Sequence, residues 1–458
     1  MLTNSYRNFG LIASVFVSMV YLLLGLQLIS SNSSLGYILQ LGNLNFNFSL
    51  SNIGMLLLVL TVLIWPAAIL ASWSNLLHSY GTYLALLFSL ELVLIYLFLT
   101  DNLIVFYILF ELSLLPLYLL IGQFGASTQR LRASRLLWTY TFFGSLCLLV
   151  SIVWLLAMFG TTNFSSLNLI LTQSLDNSTL NIVWLLIALG IANKVPTVPL
   201  HIWLPKAHVQ ANVSTSIILA AIILKLSTYA SLVLLINLIP NTAAYFSSIL
   251  LTIGLVSYIH SSIATLSQID SKVLAAYSSV AHMSLITVGI HSNNYWALTG
   301  AILLALAHAS SSAALFTLFG QVLYDRLHNR LFYYLRNVTA YAPGLKIMLL
   351  LTMLANSGLP STINWISELS ILAGIAANNI FVAIVLSTTI FTSALYSFWP
   401  YSFVTAGIAV TSKFNYIFDL TKLETSLLLY LLVPNFIFGI NVWLIEPIVL
   451  KDVISLLY

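Results

Sequence analysis

Apolar stretches long enough to cross a membrane follow one another along almost the whole chain, and this pattern limits its possible folds more than any other feature. A span needs about 20 apolar residues, because a helix rises about 1.5 Å per residue through a hydrocarbon core about 30 Å thick. Of the 458 residues, 60% are hydrophobic and only 6% are charged, whereas soluble domains contain about 25% charged residues. The sequence therefore predicts an all-α polytopic membrane protein.

Hydropathy, charge and the positions of proline and glycine predict about 13 transmembrane helices. The first is expected to be a span rather than a leader peptide, because no small-residue cleavage site follows it. The predicted spans lie near residues 9–30, 51–72, 80–99, 102–122, 135–159, 179–203, 213–239, 243–262, 270–291, 296–324, 343–374, 378–405 and 424–445.

The basic residues test this assignment of spans. When the loops are assigned alternately to two sides, the opposite side receives only Lys451, while Lys194 and Lys225 lie within spans. The rest of the 15 lysines and arginines fall on one side: Arg7, Arg130, Arg132, Arg135, Lys206, Lys272, Arg326, Arg330, Arg336, Lys346, Lys413 and Lys422. Short loops rich in Lys and Arg remain on the cytoplasmic or matrix side, which predicts the orientation.

Two spans, the sixth and the eleventh, contain residues that break helices. These are Pro196, Pro199 and Pro205 in the sixth span, and Gly358 and Pro360 in the eleventh. Proline removes an amide donor and clashes with the preceding turn, so both helices are expected to be interrupted. An interrupted helix is tolerated in a membrane where protein or water satisfies the freed backbone groups. The alternative interpretation is that these prolines form ordinary kinks.

The spacing of the two breaks predicts how the chain is divided. They lie five spans apart, and because five is odd, the units 80–239 and 243–405 would have opposite orientations. Such inverted five-helix repeats, each with a broken helix, are typical of transporters with a site near the breaks. Residues 1–79 would add N-terminal helices, and residues 406–458 a loop and a final helix.

Ionisable residues occur inside the predicted spans, where they are costly. A central Lys or Asp costs about 2.5–3.5 kcal/mol on insertion scales, so four such groups would cost on the order of 10 kcal/mol if they faced lipid. They must face one another or water, and the presence of acids and bases together favours a path for protons. The residues are Glu91, Glu111, Lys194, Lys225, Glu368 and the titratable His282 and His308.

Each of these residues also has a structural interpretation. Glu111 could be a salt-bridge partner, Lys194 and Glu368 could cap interrupted helices, and the two histidines could be satisfied hydrogen-bonding residues. Lys225 follows more than two apolar turns, which makes it difficult for its ammonium to reach an interface. The other histidines lie beside a loop or near span ends, where we expect them to be solvated: His78, His201, His208, His260, His291 and His328.

Other chemistries lack their motifs. The single cysteine, Cys147, cannot form an internal disulfide or supply the thiolates of an iron–sulfur cluster. The sequence contains no glycine-rich dinucleotide or nucleotide motif and no metal-ligand spacing. The chain is therefore expected to carry no cofactor and no metal.

Five segments closely resemble the chain 4 family of NADH–ubiquinone oxidoreductase, the respiratory complex I. They occur in the family's order within residues 65–405. The combination of W-L-P-K-A-H, a lysine-containing span and A-Y-S-S-V-A-H-M downstream is highly specific. The segments are FYILFELSLLPLYLLIG (106–122), NKVPTVPLHIWLPKAHVQA (193–211), LAAIILKLSTYA (219–230), DSKVLAAYSSVAHMSLITVGI (270–290) and LANSGLPSTINWISEL (354–369).

The resemblance implies an antiporter-like, proton-pumping subunit of the membrane arm, built from two inverted five-helix units. It implies that Glu111 pairs with Lys194 and that Lys225 is a central relay. His282 and His308 would continue the relay to Glu368 on the exit side. Sister subunits tend to have lysine at that last position, so Glu368 favours chain 4.

The resemblance also implies where the remaining chemistry lies. NADH, FMN, iron–sulfur clusters and ubiquinone would bind to partner subunits, and none of them to this chain. The partners would be other membrane-arm subunits, including neighbouring antiporter-like ones, and membrane lipid, with no nucleic acid. The location would be the mitochondrial inner membrane.

The sequence departs from the family in several places. Gln210 and Asn212 replace the usual Glu and Pro, and Ser227, Thr228 and Ala230 replace residues of a glycine-rich segment. The family commonly has 14 spans. Two other interpretations remain open at this stage: a subunit of a multi-subunit Na⁺/H⁺ antiporter, and a scaffold whose buried charges only specify helix packing.

Overall fold

The computed structural model describes residues 37–41, 44–48, 51–72, 79–173, 177–407 and 418–457. Apart from one short hairpin, the regular structure of these residues is helical. Strands β1 (Tyr37–Leu41) and β2 (Leu44–Phe48) are antiparallel, with Tyr37 opposite Phe48. The hairpin lies between the first two predicted spans, 9–30 and 51–72.

Sixteen helices of eight or more residues follow the hairpin in the described part of the chain. The first eight are α1 (Asn52–Ala71), α2 (Tyr80–Leu99), α3 (Leu103–Phe124), α4 (Arg130–Phe159), α5 (Phe164–Gln173), α6 (Asn177–Ala192), α7 (Trp203–Gln210) and α8 (Val213–Asn237). The second eight are α9 (Pro240–Leu266), α10 (Ser271–Ile290), α11 (Tyr295–Leu323), α12 (Pro343–Asn356), α13 (Ile363–Asn378), α14 (Ile380–Thr405), α15 (Lys422–Ile440) and α16 (Glu446–Leu457).

The helices agree with the predicted spans over most of the chain. Among the described residues, ten helices are long and apolar enough to cross a membrane, or eleven if α12 is counted with the bent segment before it. The all-α polytopic fold is confirmed. The first predicted span, 9–30, lies outside the described residues, and the number 13 remains a prediction.

The first predicted break lies where proline interrupts the helical hydrogen bonds. Helix α6 ends at Ala192, and α7 begins at Trp203 after a single 3₁₀ turn, Leu200–Ile202. Pro196 and Pro199 lie in the interruption, whereas Pro205 lies in the first turn of α7. A first-turn amide has no partner within its own helix, so Pro205 is compatible with α7.

The second break separates α12 from α13 and has a different local cause. Gly358 has a φ of +64°, a conformation that costs other L-residues about 1–2 kcal/mol. Thr362 then caps α13, because its hydroxyl accepts a hydrogen bond from the Trp365 amide at 3.3 Å. Both spans that were predicted to be broken consist of two separate helices.

Two helices, α8 and α11, run through the centre of the bundle. In each, 94% of the most apolar window is buried within this chain, compared with 33% for α4, α9, α14 and α15. The outer helices therefore present apolar surface to their surroundings. Helix α13 lies close against α11, since a Cβ on Gly374 would lie 2.8 Å from the Ala297 Cβ. Groups on α8, on α11 and on the face of α13 that packs against α11 are consequently held away from the surrounding lipid.

An ionic cluster on the positively charged side joins three helices. Arg326, just beyond α11, donates hydrogen bonds to both carboxylate oxygens of Glu424 at 2.9 and 2.6 Å. Its guanidinium also donates to the Phe418 and Asp419 carbonyls. The Asp419 carboxylate accepts from the first-turn amides of α12, Gly344 at 2.8 Å and Leu345 at 3.1 Å. This Arg326 cluster holds the ends of α11, α12 and α15 together.

We expect Arg326→Gln to loosen this cluster. Hydrogen bonds to charged groups contribute about 1.5–3 kcal/mol each, and about 1.4 kcal/mol corresponds to a tenfold change in an equilibrium. Amide hydrogens in residues 419–424 and 343–346 should therefore exchange at least about tenfold faster. Hydrogen–deuterium exchange with mass spectrometry on the purified protein in detergent measures this effect.

Arg135→Gln is the matched control. Arg135 is an exposed arginine on the same side, and its side chain bonds the Leu131 carbonyl in its own helix. This variant should leave exchange in both segments unchanged. Unchanged exchange in Arg326→Gln would show that Arg326 does not hold the three helix ends.

Candidate functional site

Lys194 lies just beyond the end of α6, at the first break, and its ammonium is held by α3. Its Nζ donates to the Phe110 carbonyl at 2.8 Å and lies 3.1 Å from the centroid of the Phe110 ring. The Glu111 carboxylate is 4.0 Å away. The lysine is 2% exposed, so the carbonyl, the aromatic face and the carboxylate replace the water that it loses. Glu111 and Lys194 form the pair that the resemblance implied.

Lys225 is completely buried in the middle of α8. Its Nζ donates to the Ala220 carbonyl at 2.7 Å and lies 2.7 Å from Nδ1 of His308 on α11. The Ala220 carbonyl belongs to a π-helical turn, Leu219–Ile223, directly before the lysine. Such turns widen a helix locally and occur frequently at functional sites.

The protonation of His308 follows from its contact with Lys225. An ammonium donates hydrogen bonds and cannot accept them. When Lys225 is charged, Nδ1 of His308 must therefore be the acceptor, and the neutral ring then carries its proton on Nε2. Nε2 has no hydrogen-bond partner among the described residues. The arrangement directs one ring nitrogen of His308 to the lysine and leaves the other for a further acceptor.

The row continues from His308 to α10 and α13. The His308 and His282 rings lie with their centroids 5.2 Å apart. Nδ1 of His282 is 3.7 Å from Oε1 of Glu368. Lys225, His308, His282 and Glu368 are therefore consecutive neighbours, although they come from four different helices. We call these four residues the central row.

The six predicted site residues thus form two groups. Glu111 and Lys194 make the first group, and the central row makes the second. Among the described residues, no hydrogen bond or ion pair joins the two groups. Any influence of Lys194 on Lys225 must therefore act through electrostatics or through movement of the helices between them.

Several buried polar atoms along the central row have no hydrogen-bond partner among the described residues. They include Oε1 of Glu368, Nε2 of His308 and both side-chain amide atoms of Asn364, which is completely buried on α13. An unsatisfied buried polar atom costs about 1–3 kcal/mol. Such atoms are suited to exchanging hydrogen-bond partners when a proton is transferred along the row.

Glu368 is packed against the second break. A Cβ on Gly358 would lie 2.8 Å from Oε2 of Glu368 and 3.1 Å from its Cδ. A larger residue at this position would force the end of the Glu368 side chain to shift, in addition to the cost of the positive φ. The break places backbone of the interrupted helix directly against the last acid of the row.

Two further buried basic residues lie between the central row and the positively charged side. His208 on α7 is completely buried, and its ring stacks on that of Phe316 with the centroids 4.4 Å apart. Lys272, in the first turn of α10, is 4% exposed and donates to the Ala211 carbonyl at 3.2 Å. Neither was predicted to belong to the site.

The expectation that six histidines are solvated is only partly correct. His208, His201 and His291 are buried, because α7 folds back into the bundle and the end of α10 is covered by its neighbours. His260 and His328 are exposed as expected. His78 lies outside the described residues. Lys272 was grouped with the basic residues of the loop side, at the start of the predicted span 270–291; it lies in the first turn of α10 and is covered by the chain around Ala211.

Glu91 on α2 is the remaining charged residue within a span. It is 2% exposed, and its Oε1 has no hydrogen-bond partner among the described residues. No ion pair in the described part of the chain connects it to either group. Within those same residues, no three His, Cys, Asp or Glu side chains are arranged to hold a metal ion.

Comparison with known proteins relates this arrangement to a family. The family model for the transmembrane part of NADH:quinone oxidoreductases and Mrp antiporters matches residues 100–393. Chain 4 of NADH-ubiquinone oxidoreductase from Mycosarcoma maydis is 38% identical over 90% of this chain and 85% of its own length. The Arabidopsis thaliana chain 4 is 36% identical over 88% of this chain and 81% of its own length.

Solved structures share the fold at lower identity. A chain of respiratory complex I from Thermus thermophilus superposes with a TM-score of 0.87 at 24% identity, covering 97% of this chain and 94% of that one. A chain of the Mrp complex from a Dietzia species superposes with a TM-score of 0.86 at 17% identity, covering 99% and 94%. At these identities the likeness establishes the fold alone.

We expect Gly358→Ala to be destabilising for two separable reasons. Alanine at a positive φ costs about 1–2 kcal/mol, and pressing a Cβ against the Glu368 carboxylate adds about 1–3 kcal/mol. Introducing Gly358→Ala into a Glu368→Ala background should therefore cost only the first amount. The measurement is the shift in the SDS mole fraction that unfolds the purified protein.

The double-mutant cycle also decides whether the geometry is correct. Ser357→Ala provides a control, because Ser357 has an ordinary helical conformation and its replacement should have little effect. If Gly358→Ala costs the same with and without the Glu368 carboxylate, the two groups are not in contact.

Proposed function

This chain belongs to the chain 4 family of NADH–ubiquinone oxidoreductase, and we propose that it moves protons across the inner membrane as an antiporter-like subunit of the membrane arm of complex I. The observation that carries the proposal is the central row, Lys225, His308, His282 and Glu368, buried across four helices. A structural role alone would need each charge to be paired, whereas this row leaves several buried polar atoms without a hydrogen-bond partner among the described residues.

The first step of the proposed transfer is between Lys225 and His308. At 2.7 Å, Nζ and Nδ1 are already at hydrogen-bond distance, so the proton can pass between them without rearrangement of the backbone. The lysine becomes a neutral amine as Nδ1 gains the proton. His308 can then release the proton that it carries on Nε2, which returns the ring to neutrality.

The second half of the transfer needs small movements or water. The His308 and His282 rings are close but not hydrogen-bonded, and His282 lies 3.7 Å from the Glu368 carboxylate. A side-chain rotation or a bridging water closes such a gap. Glu368, beside the second break, would receive the proton as a carboxylate and pass it to the opposite side.

The Glu111–Lys194 pair would control this transfer through its field. At 4.0 Å the carboxylate offsets much of the lysine charge. If the pair separates, the uncompensated ammonium of Lys194 disfavours the charged form of Lys225. Lys225 would then hand its proton to His308. The pair acts at a distance, which agrees with the absence of a direct bond to the row among the described residues.

His208 and Lys272 extend the proposal towards the positively charged side. They lie between that side and Lys225, and each is buried with part of its polar surface against backbone or an aromatic ring. We assign His208 the role of delivering protons to Lys225. Lys272 would favour the neutral form of His208, because two adjacent positive charges repel.

The fold places these groups in two related halves. The breaks beside Lys194 and Glu368 lie five predicted spans apart, which supports two inverted repeats over residues 80–239 and 243–405. In this arrangement each repeat contributes one broken helix with an ionisable residue beside the break.

The redox reaction belongs to other subunits in this proposal. NADH, FMN, iron–sulfur clusters and ubiquinone would bind there, and the free energy of electron transfer would reach this chain through contacts with other membrane-arm subunits. The chain is a multi-pass protein of the mitochondrial inner membrane. As part of an NADH:ubiquinone reductase, it would contribute proton transport, and the redox centres would lie in partner subunits.

A subunit of a Na⁺/H⁺ antiporter is the second candidate, because the Dietzia Mrp chain shares the fold. The sequence relationship favours the first candidate, since identity reaches 38% with chain 4 relatives and 17% with the Mrp chain.

We expect Lys225→Ala to slow proton transfer through this chain, because a positioned acid–base group contributes about 10²–10⁴-fold. In the assembled complex reconstituted into vesicles, fewer protons should be taken up for each NADH oxidised. Lys346→Ala removes an exposed lysine on the positively charged side and should leave this ratio unchanged. Unchanged proton uptake in a complex that assembles with Lys225→Ala would rule out the relay.

The two candidate functions predict different assemblies. We expect the chain to migrate on a native gel in a band that stains for NADH dehydrogenase activity. A chain found only in a smaller assembly without that activity would instead favour the Na⁺/H⁺ antiporter. Probing the gel with an antibody to this chain provides the measurement.

A further inference from the structure

A pocket with a volume of about 360 Å³ opens at the positively charged end of the bundle. Its size lies within the range of about 300–1,000 Å³ that is usual for small-molecule sites. Its walls are formed by the first turns of α4, by helix α7 with the turn before it, and by the first turns of α10 with the connection from α9. The pocket is separate from the central row.

Two cations line this pocket, Arg132 on α4 and Lys206 on α7, and none of its lining residues is acidic. Both side chains are exposed. In the described part of the chain, neither side chain forms an ion pair or a hydrogen bond. The nearby pair of Arg330 and Asp270 does not line the pocket. The pocket is therefore complementary to an anion.

The length of α4 indicates where the pocket lies relative to the membrane. This helix has 30 residues and is about 45 Å long, whereas the hydrocarbon core is about 30 Å thick. Its first turns, which carry Arg132, therefore extend into the headgroup region. The surrounding loops are those that the positive-inside rule assigns to the cytoplasmic or matrix side, so the pocket opens at the inner leaflet.

Besides the neutral polar side chains of Gln129, Gln210, Gln268 and Tyr277, the pocket wall has an apolar part. Ile202, Leu136 and Val273 line it, and Ile202 is 42% exposed. Leu131 and Ile269, which are sequence neighbours of the lining residues Arg132 and Gln268, are 55% and 60% exposed. A ligand that fits both surfaces has an anionic group at one end and a hydrocarbon chain at the other.

We propose that this pocket binds an anionic phospholipid of the inner leaflet, with its phosphate between Arg132 and Lys206 and an acyl chain along Leu136 and Ile202. Basic pockets between transmembrane helices on this side are suited to such headgroups. A free phosphate would use the two cations but leave the apolar wall exposed. A zwitterionic lipid would place its own cation beside theirs.

The bound lipid would also hold α7 in place. Lys206 is two residues from His208 on the same short helix, and α7 follows the first break. A phosphate that joins Arg132 to Lys206 links α7 to α4 from outside the bundle. The site therefore stabilises the segment that lies between the membrane surface and Lys225.

The test uses the assembled complex with two photoactivatable lipids, phosphatidylglycerol and phosphatidylcholine, which carry the same diazirine near the top of one acyl chain. After illumination, mass spectrometry of the digested chain locates the label. We expect phosphatidylglycerol to label residues 129–136 and 202–210 about tenfold or more above phosphatidylcholine, since each basic residue near the surface adds to the attraction. Inorganic phosphate at millimolar concentration should not compete.

The double variant Arg132→Gln/Lys206→Gln should reduce phosphatidylglycerol labelling to the level of phosphatidylcholine. Lys346→Gln/Lys422→Gln, which removes two exposed lysines on the same side, should leave it unchanged. Equal labelling by the two lipids, or labelling unaffected by the first double variant, would overturn the proposal. Displacement by inorganic phosphate would identify free phosphate as the ligand, and absence of label from both segments would show that a neighbouring subunit covers the pocket.

Discussion

A lysine ammonium inside a membrane protein must find replacements for the water that it loses, and Lys225 finds two. The Ala220 carbonyl and the His308 ring each lie 2.7 Å from its Nζ. Moving an ion out of water costs several kcal/mol even after relaxation, so these two contacts must be maintained while the lysine is charged. The Ala220 contact lies within α8, whereas the His308 contact joins α8 to α11, the two most deeply buried helices of the bundle.

The interrupted helices satisfy the same requirement at the other ionisable residues. At the first break Lys194 contacts both the carbonyl and the ring of Phe110. At the second break, Gly358 allows the backbone to approach the Glu368 carboxylate. The Phe110 carbonyl belongs to α3, so the first break sets the position of Lys194 and the neighbouring helix supplies the acceptor. At the second break, the interrupted backbone itself lies against the charged side chain, where its polar groups are tolerated inside the protein.

Much of this arrangement could be predicted from the sequence, and the reasons are local. A lysine among apolar residues identified Lys225, and proline and glycine identified the two breaks. The burial of His208 and Lys272 could not be predicted in this way, because α7 and the chain around Ala211 cover them only after folding. The π-helical turn before Lys225 could not be predicted either, because no sequence pattern identifies such a turn. The Arg326 cluster joins residues about 100 positions apart, which local patterns do not connect.

The contact between Lys225 and His308 has a consequence for how many protons can pass at a time. Once Nδ1 has accepted the lysine proton and Nε2 has released its own, the neutral ring has become the other tautomer. In that state Nδ1 is a donor, so it can no longer accept from a recharged lysine. The ring must exchange its proton or turn over before a second transfer. The pair therefore transfers one proton at a time, and His308 must return to its first tautomer before Lys225 can donate again. A second proton can reach Lys225 and pass on only after the first has left His308.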